Sequence, residues 1–274
     1  MIIQHNMKAV NTNRMLGQNV KAVGKSAEKL ASGYKVNRAA DDAAGLSISE
    51  KMRNQIRGLN QSVKNSEDGI SLIQTAEGNM NEIHSILQRM GELAVKSRND
   101  VNATEDRSTI QDEITQLKQE ITSITNKAEF NGTKLLDGSM STGKAKILQV
   151  GANAGETMSV SISGTSLTTL GIDTTSVGTG AAASAAISEI QGAIKSVSAQ
   201  RSKLGAIQNR LEYTINNLEN YSENLTSAES SIRDTDMATE MVSYSKNNIL
   251  QQAAQSMLAQ ANQSTQGVMS LLQG

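Results

Sequence analysis

The side chains best suited to chemistry are few. His5 and His84 are the only imidazoles, they lie far apart, and there is no cysteine. A zinc site would then have to be built from carboxylates, because neither thiolates nor a close pair of imidazoles is on offer. Neither histidine sits in an H-E-x-x-H pattern. Asp41-Asp42 and Asp234-Thr235-Asp236 are acidic pairs that could in principle do acid–base work. Helix caps and hinge ion pairs account for them more simply. Gly178-Thr179-Gly180 lies in low-complexity sequence, and neither G-x-x-x-x-G-K-[ST] nor G-x-G-x-x-G occurs. The nucleophile elbow G-x-S-x-G is missing as well. Asn131-Gly132-Thr133 and Asn224-Leu225-Thr226 match the glycosylation sequon, but Asn, Ser and Thr are abundant enough for chance matches. We therefore expect no enzyme, no cofactor and no metal, which leaves association as the chemistry.

Composition narrows the kind of association. The formal net charge of -1 is wrong for a protein whose main partner is nucleic acid. No apolar run approaches the ~18 residues of a membrane-spanning helix, so membrane insertion is not expected. The start, Met1-Ile2-Ile3-Gln4-His5-Asn6, lacks the basic and apolar regions of a secretory signal. The expectation is a cytosolic protein or one exported without a cleaved signal. There is no proline or tryptophan and one phenylalanine. A globular core of this size would use more aromatics, whereas long helices are helped by the lack of proline.

The stretch 187–232 states the fold. Ile187, Ile190, Ile194, Val197, Leu204, Leu211, Ile215, Leu218, Leu225 and Ile232 recur in steps of three and four. Polar residues fill the gaps at Arg201, Gln208, Ser222 and Glu229. This spacing puts one apolar stripe on a helix of roughly 65–70 Å at 1.5 Å per residue. Such a stripe cannot bury itself, so other long helices must lie along it. Met52, Ile56, Leu59, Val63, Ile70, Ile73, Met80, Leu87, Met90 and Ala94 give a second long helix, with Ser66, Glu77 and His84 in its gaps. Ile110, Ile114, Leu117, Ile121 and Ile124 give a third, over about 104–128. Phe130-Asn131-Gly132-Thr133 is a turn signal. Residues 147–150 and 158–162 read as strands around a Gly-rich hairpin loop, and 165–184 as surface loops.

The two ends are unusual. Residues 1–33 read as a helix with two stripes: Ile3, Met7 and Val10, then Leu16, Val20, Val23, Ala27 and Leu30. Gly33 is its expected C-cap, and 34–45 a polar connector in which Asp41 or Asp42 caps a following helix. The tail carries no charge after Lys246, and Leu250, Ala254, Met257, Ala261, Val268 and Leu272 form its stripe. It is too polar to span a bilayer and too uncharged for a solvated surface helix. It should order only against partners. The expected fold is mainly α: long antiparallel helices forming a coiled-coil-like rod, a small β-hairpin insertion, and paired terminal helices. The expected division is 1–40 with 236–274, 41–137 with 185–235, and 138–184 as the hairpin and loops.

Several runs are more specific. Leu30-Ala31-Ser32-Gly33-Tyr34-Lys35-Val36-Asn37-Arg38-Ala39-Ala40-Asp41-Asp42-Ala43-Ala44-Gly45-Leu46 resembles the N-terminal signature of bacterial flagellins, as do residues 68–78 and 129–132. Residues 203–211, 223–234 and 257–262 resemble the C-terminal signature. The resemblance covers nearly the whole chain except about 138–184, where larger flagellins carry outer domains. It implies a short flagellin: a structural subunit that self-assembles into the bacterial flagellar filament for motility. Its termini would line the inner tube, with Ile3, Val10, Leu250, Met257, Val268 and Leu272 as inter-subunit packing candidates. The resemblance implies export unfolded, polymerisation at the distal tip and an extracellular location. Its expected partners are further copies, an export chaperone, hook–filament junction and cap proteins, and a Toll-like receptor. Arg89, Leu93 and Glu113 match the receptor-contact pattern, whereas Gly91 stands where an arginine is common. Competing readings are a hook–filament junction protein and a secreted adhesin or immune ligand.

Overall fold

In a computed structural model, residues 6–141 and 143–273 are described, with the side chains of 265, 266 and 268–273 excepted. The elements are α1 (Met7–Ser32), α2 (Ala43–Arg98), α3 (Thr104–Lys127), β1 (Glu129–Phe130), β2 (Thr133–Lys134), β3 (Lys146–Gln149), β4 (Thr157–Val160), α4 (Leu167–Leu170), α5 (Gly180–Arg233) and α6 (Met237–Gln273). Contacts divide the chain into two compact units. One comprises Met1–Asn54 with Asn224–Gly274, the other Gln55–Glu223.

The unit Gln55–Glu223 holds nearly all the buried core. On α2 the enclosed face runs Leu59, Ser62, Ser66, Ile73, Ala76, Met80, Ile83, Leu87 and Met90. This is the expected three-four rhythm, displaced slightly: Ser62, Ala76 and Ile83 occupy the seam, while Val63 and Ile70 flank it. Ser62 and Ser66 are tolerated there because each hydroxyl donates to a carbonyl one turn earlier, Gly58 O at 2.9 Å and Ser62 O at 2.8 Å. On α5, Ala183, Ala186, Ile190, Ala193, Val197, Gln200, Leu204, Leu211 and Leu218 are buried. The helices run antiparallel. Asn60 meets Ser222 (3.1 Å) and Glu77 meets Arg201 (3.4 Å), so α5 numbering falls as α2 climbs. One polar gap in each stripe thus coincides, since Glu77 on α2 finds Arg201 on α5. The third helix adds Ile110, Ile114 and Ile121 to this core.

The β elements are two separate hairpins. Asn131 (φ 47°) and Gly132 (φ 72°) are both left-handed, and they join β1 to β2 in a two-residue turn. β3 pairs with β4 in antiparallel register, Ile147 opposite Ser159 and Leu148 opposite Met158. The second hairpin seats on α2 at two glycines. A Cβ at Gly58 would stand 2.9 Å from Ala152 Cβ, and one at Gly69 would overlap Leu148 Cδ1. Asn65 donates to Gln149 O at 3.1 Å between them.

The segment expected as surface loops is a correction. Ile172 and Val177 are fully buried, Thr165 and Thr175 almost so, and Leu167–Leu170 is helical. The isolated apolar residues act as anchors, and polar side chains of the helices hold the backbone between them. Lys118 donates to Asp173 O and Thr175 O, Ser97 donates to Val177 O, and Gln111 accepts from Val177 N. Desolvation in this setting holds the Lys118 ammonium below the usual lysine range.

Candidate assembly and recognition surfaces

In the unit of the chain ends, α1 and α6 pair antiparallel. Asn6 Nδ2 donates to Ala261 O at 3.0 Å near one end, and Lys29 meets Glu240 at 3.7 Å near the other. Both helices begin on capping signals in their sequences, and α1 also ends on one. Asn6 caps α1 by accepting from Ala9 N, and Gly33 closes it in the left-handed conformation at φ 75°. Asp236 caps α6, accepting from Ala238 N, Thr239 N and the Thr239 hydroxyl. That hydroxyl bond, with the amides behind it, holds the Asp236 carboxyl below the usual carboxylate range.

The face that α1 turns inward is Ala9, Thr12, Leu16, Asn19, Val23, Ser26 and Leu30; on α6 it is Tyr244, Asn247, Gln251, Ala254, Leu258 and Ala261. It is a thin seam that mixes large apolar side chains with small and amide ones, and Ser26 alone is buried in it. The second stripe expected on residues 1–33 is therefore split, with Val20 and Ala27 exposed. Leu16, Val23 and Leu30 lie on the seam, while Met7 and Val10 point away from it, 68% and 61% exposed. Outward with them are Met15 and Val20 on α1, and Met237, Met241, Val242, Ile249, Leu250 and Met257 on α6. Of the packing candidates, Val10, Leu250 and Met257 are thus exposed. Ile3 and the side chains of Val268 and Leu272 lie outside the described residues. Sequence reasoning placed Leu250 and Met257 on one stripe with Ala254 and Ala261. In the structure these four share one side of α6, within about 60° at ~100° per residue, with the two alanines half-buried and the two large side chains more exposed at the edge of the seam.

A clasp closes the base of this pair. Tyr34 and Asp234 form an antiparallel bridge, Thr235 N donates to Gly33 O (2.9 Å), and Lys35 N donates to Arg233 O (2.6 Å). Arg233 lies over the Tyr34 ring at 4.6 Å and pairs with Glu50 at 2.8 Å. Asp42 caps α2 through Gly45 N (2.9 Å), while Asp41 takes Lys25 (2.8 Å) and Arg38 N (3.2 Å). The Lys25 bond, the stronger influence, and the Arg38 amide hold the Asp41 carboxyl below its usual range. The connector expected to be a polar hinge is a tied corner, and the acidic pairs are structural.

The receptor-contact candidates belong to the other unit. Arg89 donates to Glu113 through Nε (3.1 Å) and Nη2 (2.9 Å), and to Glu92 through Nη1 (3.2 Å). These carboxylates, Glu113 above all, raise its already high pKa. Both Arg89 and Glu113 stand at the surface. Leu93 is 2% exposed and packs in the core, so its side chain is not offered to a partner here. His84 carries no metal cluster, and none is found among the described residues.

Long antiparallel helices with paired ends define a class of helical, self-associating subunit. The chain belongs to the bacterial flagellin family: the profile of the bacterial flagellin N-terminal helical region matches residues 3–141, and that of the C-terminal helical region matches 187–272. It is 52% identical to a flagellin of Halalkalibacterium halodurans, covering 99% of this chain and 100% of that one. It is 46% identical to a flagellar filament 31.3 kDa core protein of Treponema maltophilum, over 100% of each. Its fold is similar to a crystal structure of Bacillus cereus flagellin, with TM-score 0.51 and 30% identity, over 57% of this chain and 88% of that one. Flagellins are structural filament proteins and not an enzyme family.

Proposed function

We propose that this chain is a structural subunit that polymerises with copies of itself into an extracellular flagellar filament used for motility. The observation that carries the reading is the set of large apolar side chains left exposed on α1 and α6, among them Met7, Val10, Ile249 and Met257. Exposed apolar side chains gathered on two paired helices mark a surface for association. A second copy presents the same helices and so the same need. The division of labour we infer is 1–40 with 236–274 as the inner tube, 41–137 with 185–235 as the surrounding long-helix shell, and 138–184 as a reduced outer region.

The thin burial of the seam also favours export as an unfolded chain, with polymerisation at the distal tip. An export chaperone would cover the C-terminal helix until then, and junction and cap proteins would meet the same surfaces at the filament's two ends. Recognition by a Toll-like receptor would centre on Arg89 and Glu113. The test is seeded growth: purified subunits added to sheared fragments should extend them into tubes visible by electron microscopy. A chain lacking its last ~20 residues should keep the Gln55–Glu223 unit folded yet fail to extend seeds, because it loses Met257, Val268 and Leu272, the packing candidates of the tail. Normal extension by the truncated chain would overturn the assignment.

A further inference from the structure

With no cysteine in the chain, its 12 methionines are its only sulfur. They are distributed unevenly. Met80, Met90 and Met140 are fully enclosed, and Met158 nearly so, all in the Gln55–Glu223 unit. Met7, Met15, Met237, Met241 and Met257 are exposed, by 44% to 68%, and all five lie on α1 or α6. Among the described residues no other methionine is exposed; Met52 is half-buried. The thioether is flexible and polarisable, which suits a surface that must repack against a neighbour. It is also the side chain here most open to oxidation, since there is no cysteine or tryptophan to compete.

We propose that these five methionines are a modification site for hydroperoxides, through which oxidation blocks addition of free subunits and reduction restores it. The inference rests on the filament reading above. In the step, a sulfur lone pair attacks the outer oxygen of the peroxide. The S–O bond forms as the O–O bond breaks. The proton on the transferred oxygen passes to the displaced hydroxide, which leaves as water. Sulfur loses two electrons and the peroxide gains them. The sulfoxide product is polar, and its reversal by sulfoxide reductases is a general property of this group. On the surface of a free subunit it is solvated and harmless. Covered by a neighbouring subunit without a hydrogen-bond donor, it carries the penalty of any buried unsatisfied polar group. Within a finished filament the covered sulfurs should oxidise slowly, so sensitivity belongs to the free subunit.

The experiment treats full-length subunits with graded hydrogen peroxide, maps sulfoxide by peptide mass spectrometry, and measures seeded elongation. The five sites should oxidise before Met80, Met90 and Met140. Subunits oxidised at all five should elongate at least about tenfold more slowly. Sulfoxide reductase with its thiol reductant should restore the rate, and a chain with Met→Leu at the five sites should elongate normally after the same treatment. Undiminished elongation by subunits shown to carry all five sulfoxides overturns the inference while leaving the filament reading intact. Loss of elongation by the peroxide-treated Leu variant overturns the assignment to these sites. Failure of untreated subunits to elongate seeds overturns the filament reading, and the inference with it.

Discussion

Met257→Ala separates folding from assembly. The Met257 side chain is 63% exposed, so the α1–α6 pair uses little of it. Full burial of a methionine is worth about 2–3 kcal/mol. The exposed share leaves roughly 1–2 kcal/mol for a neighbouring subunit and under about 1 kcal/mol for the monomer. The free-energy change on assembly sets the critical concentration, and ~1.4 kcal/mol is tenfold. Met257→Ala should therefore raise the critical concentration about 5- to 30-fold while shifting the monomer's melting temperature by only a degree or two. Its neighbour is the control. Leu258 is half-buried on the α6 seam, so Leu258→Ala should loosen the pairing of α6 with α1 inside the monomer as well. Critical concentration is read by sedimentation after seeded growth, and the melt by circular dichroism. A Met257→Ala subunit with unchanged critical concentration would refute the claim that the outward row is the contact surface.

The other predictions concern packing, charge and recognition. Gly58→Ala should destabilise the Gln55–Glu223 unit by about 1 kcal/mol, because overpacking against Ala152 (~1–3 kcal/mol) outweighs the gain in helix propensity. Adding Ala152→Gly should restore stability, and a stabilised single variant in a denaturant titration would contradict the contact. Asp41 has a folded pKa below its unfolded value, so its contribution is present above the unfolded carboxylate range and lost as pH falls through the folded value. Asp41→Asn should flatten that acid limb in monomer melts taken across pH, and parallel limbs would show that the pair contributes nothing. At Gly91 an added Cβ meets only Ile190 Cγ2, at 3.7 Å, so Gly91→Arg should be accommodated. Titration of the receptor ectodomain should find Gly91→Arg tighter and Arg89→Ala largely without binding; equal affinities would remove this patch from recognition.

Helix existence was legible because period and length are strong signals: the 187–232 stripe returns as Ile190, Val197, Leu204, Leu211 and Leu218 in the buried face of α5. The Asn131-Gly132 turn was legible because only a few residue types accept positive φ at two successive positions. Burial in 165–184 was not. Ile172 and Val177 join the apolar core from a largely polar segment, and the backbone around them is held by Lys118, Ser97 and Gln111, far away in sequence. The terminal helices failed in a subtler way. A stripe drawn through Leu250, Ala254, Met257 and Ala261 is one side of α6, yet apolar type alone does not say which of its side chains pack within the subunit and which stay exposed. Of the receptor candidates, the Arg89–Glu113 pair shares the surface, whereas Leu93 has the apolar character of the core it occupies.

The account stands on α1 and α6 being completed by other subunits, and hydrogen exchange followed by mass spectrometry tests that directly. Free subunits and filaments of the same chain are labelled in parallel. Because the α1–α6 seam is thinly buried, amides in Met7–Ser32 and Met237–Gln273 should exchange fast in the free subunit and become strongly protected in the filament. Those of Gln55–Glu223 should change much less. Full protection of α1 and α6 already in the free subunit, or a gain on polymerisation confined to Gln55–Glu223, would contradict it.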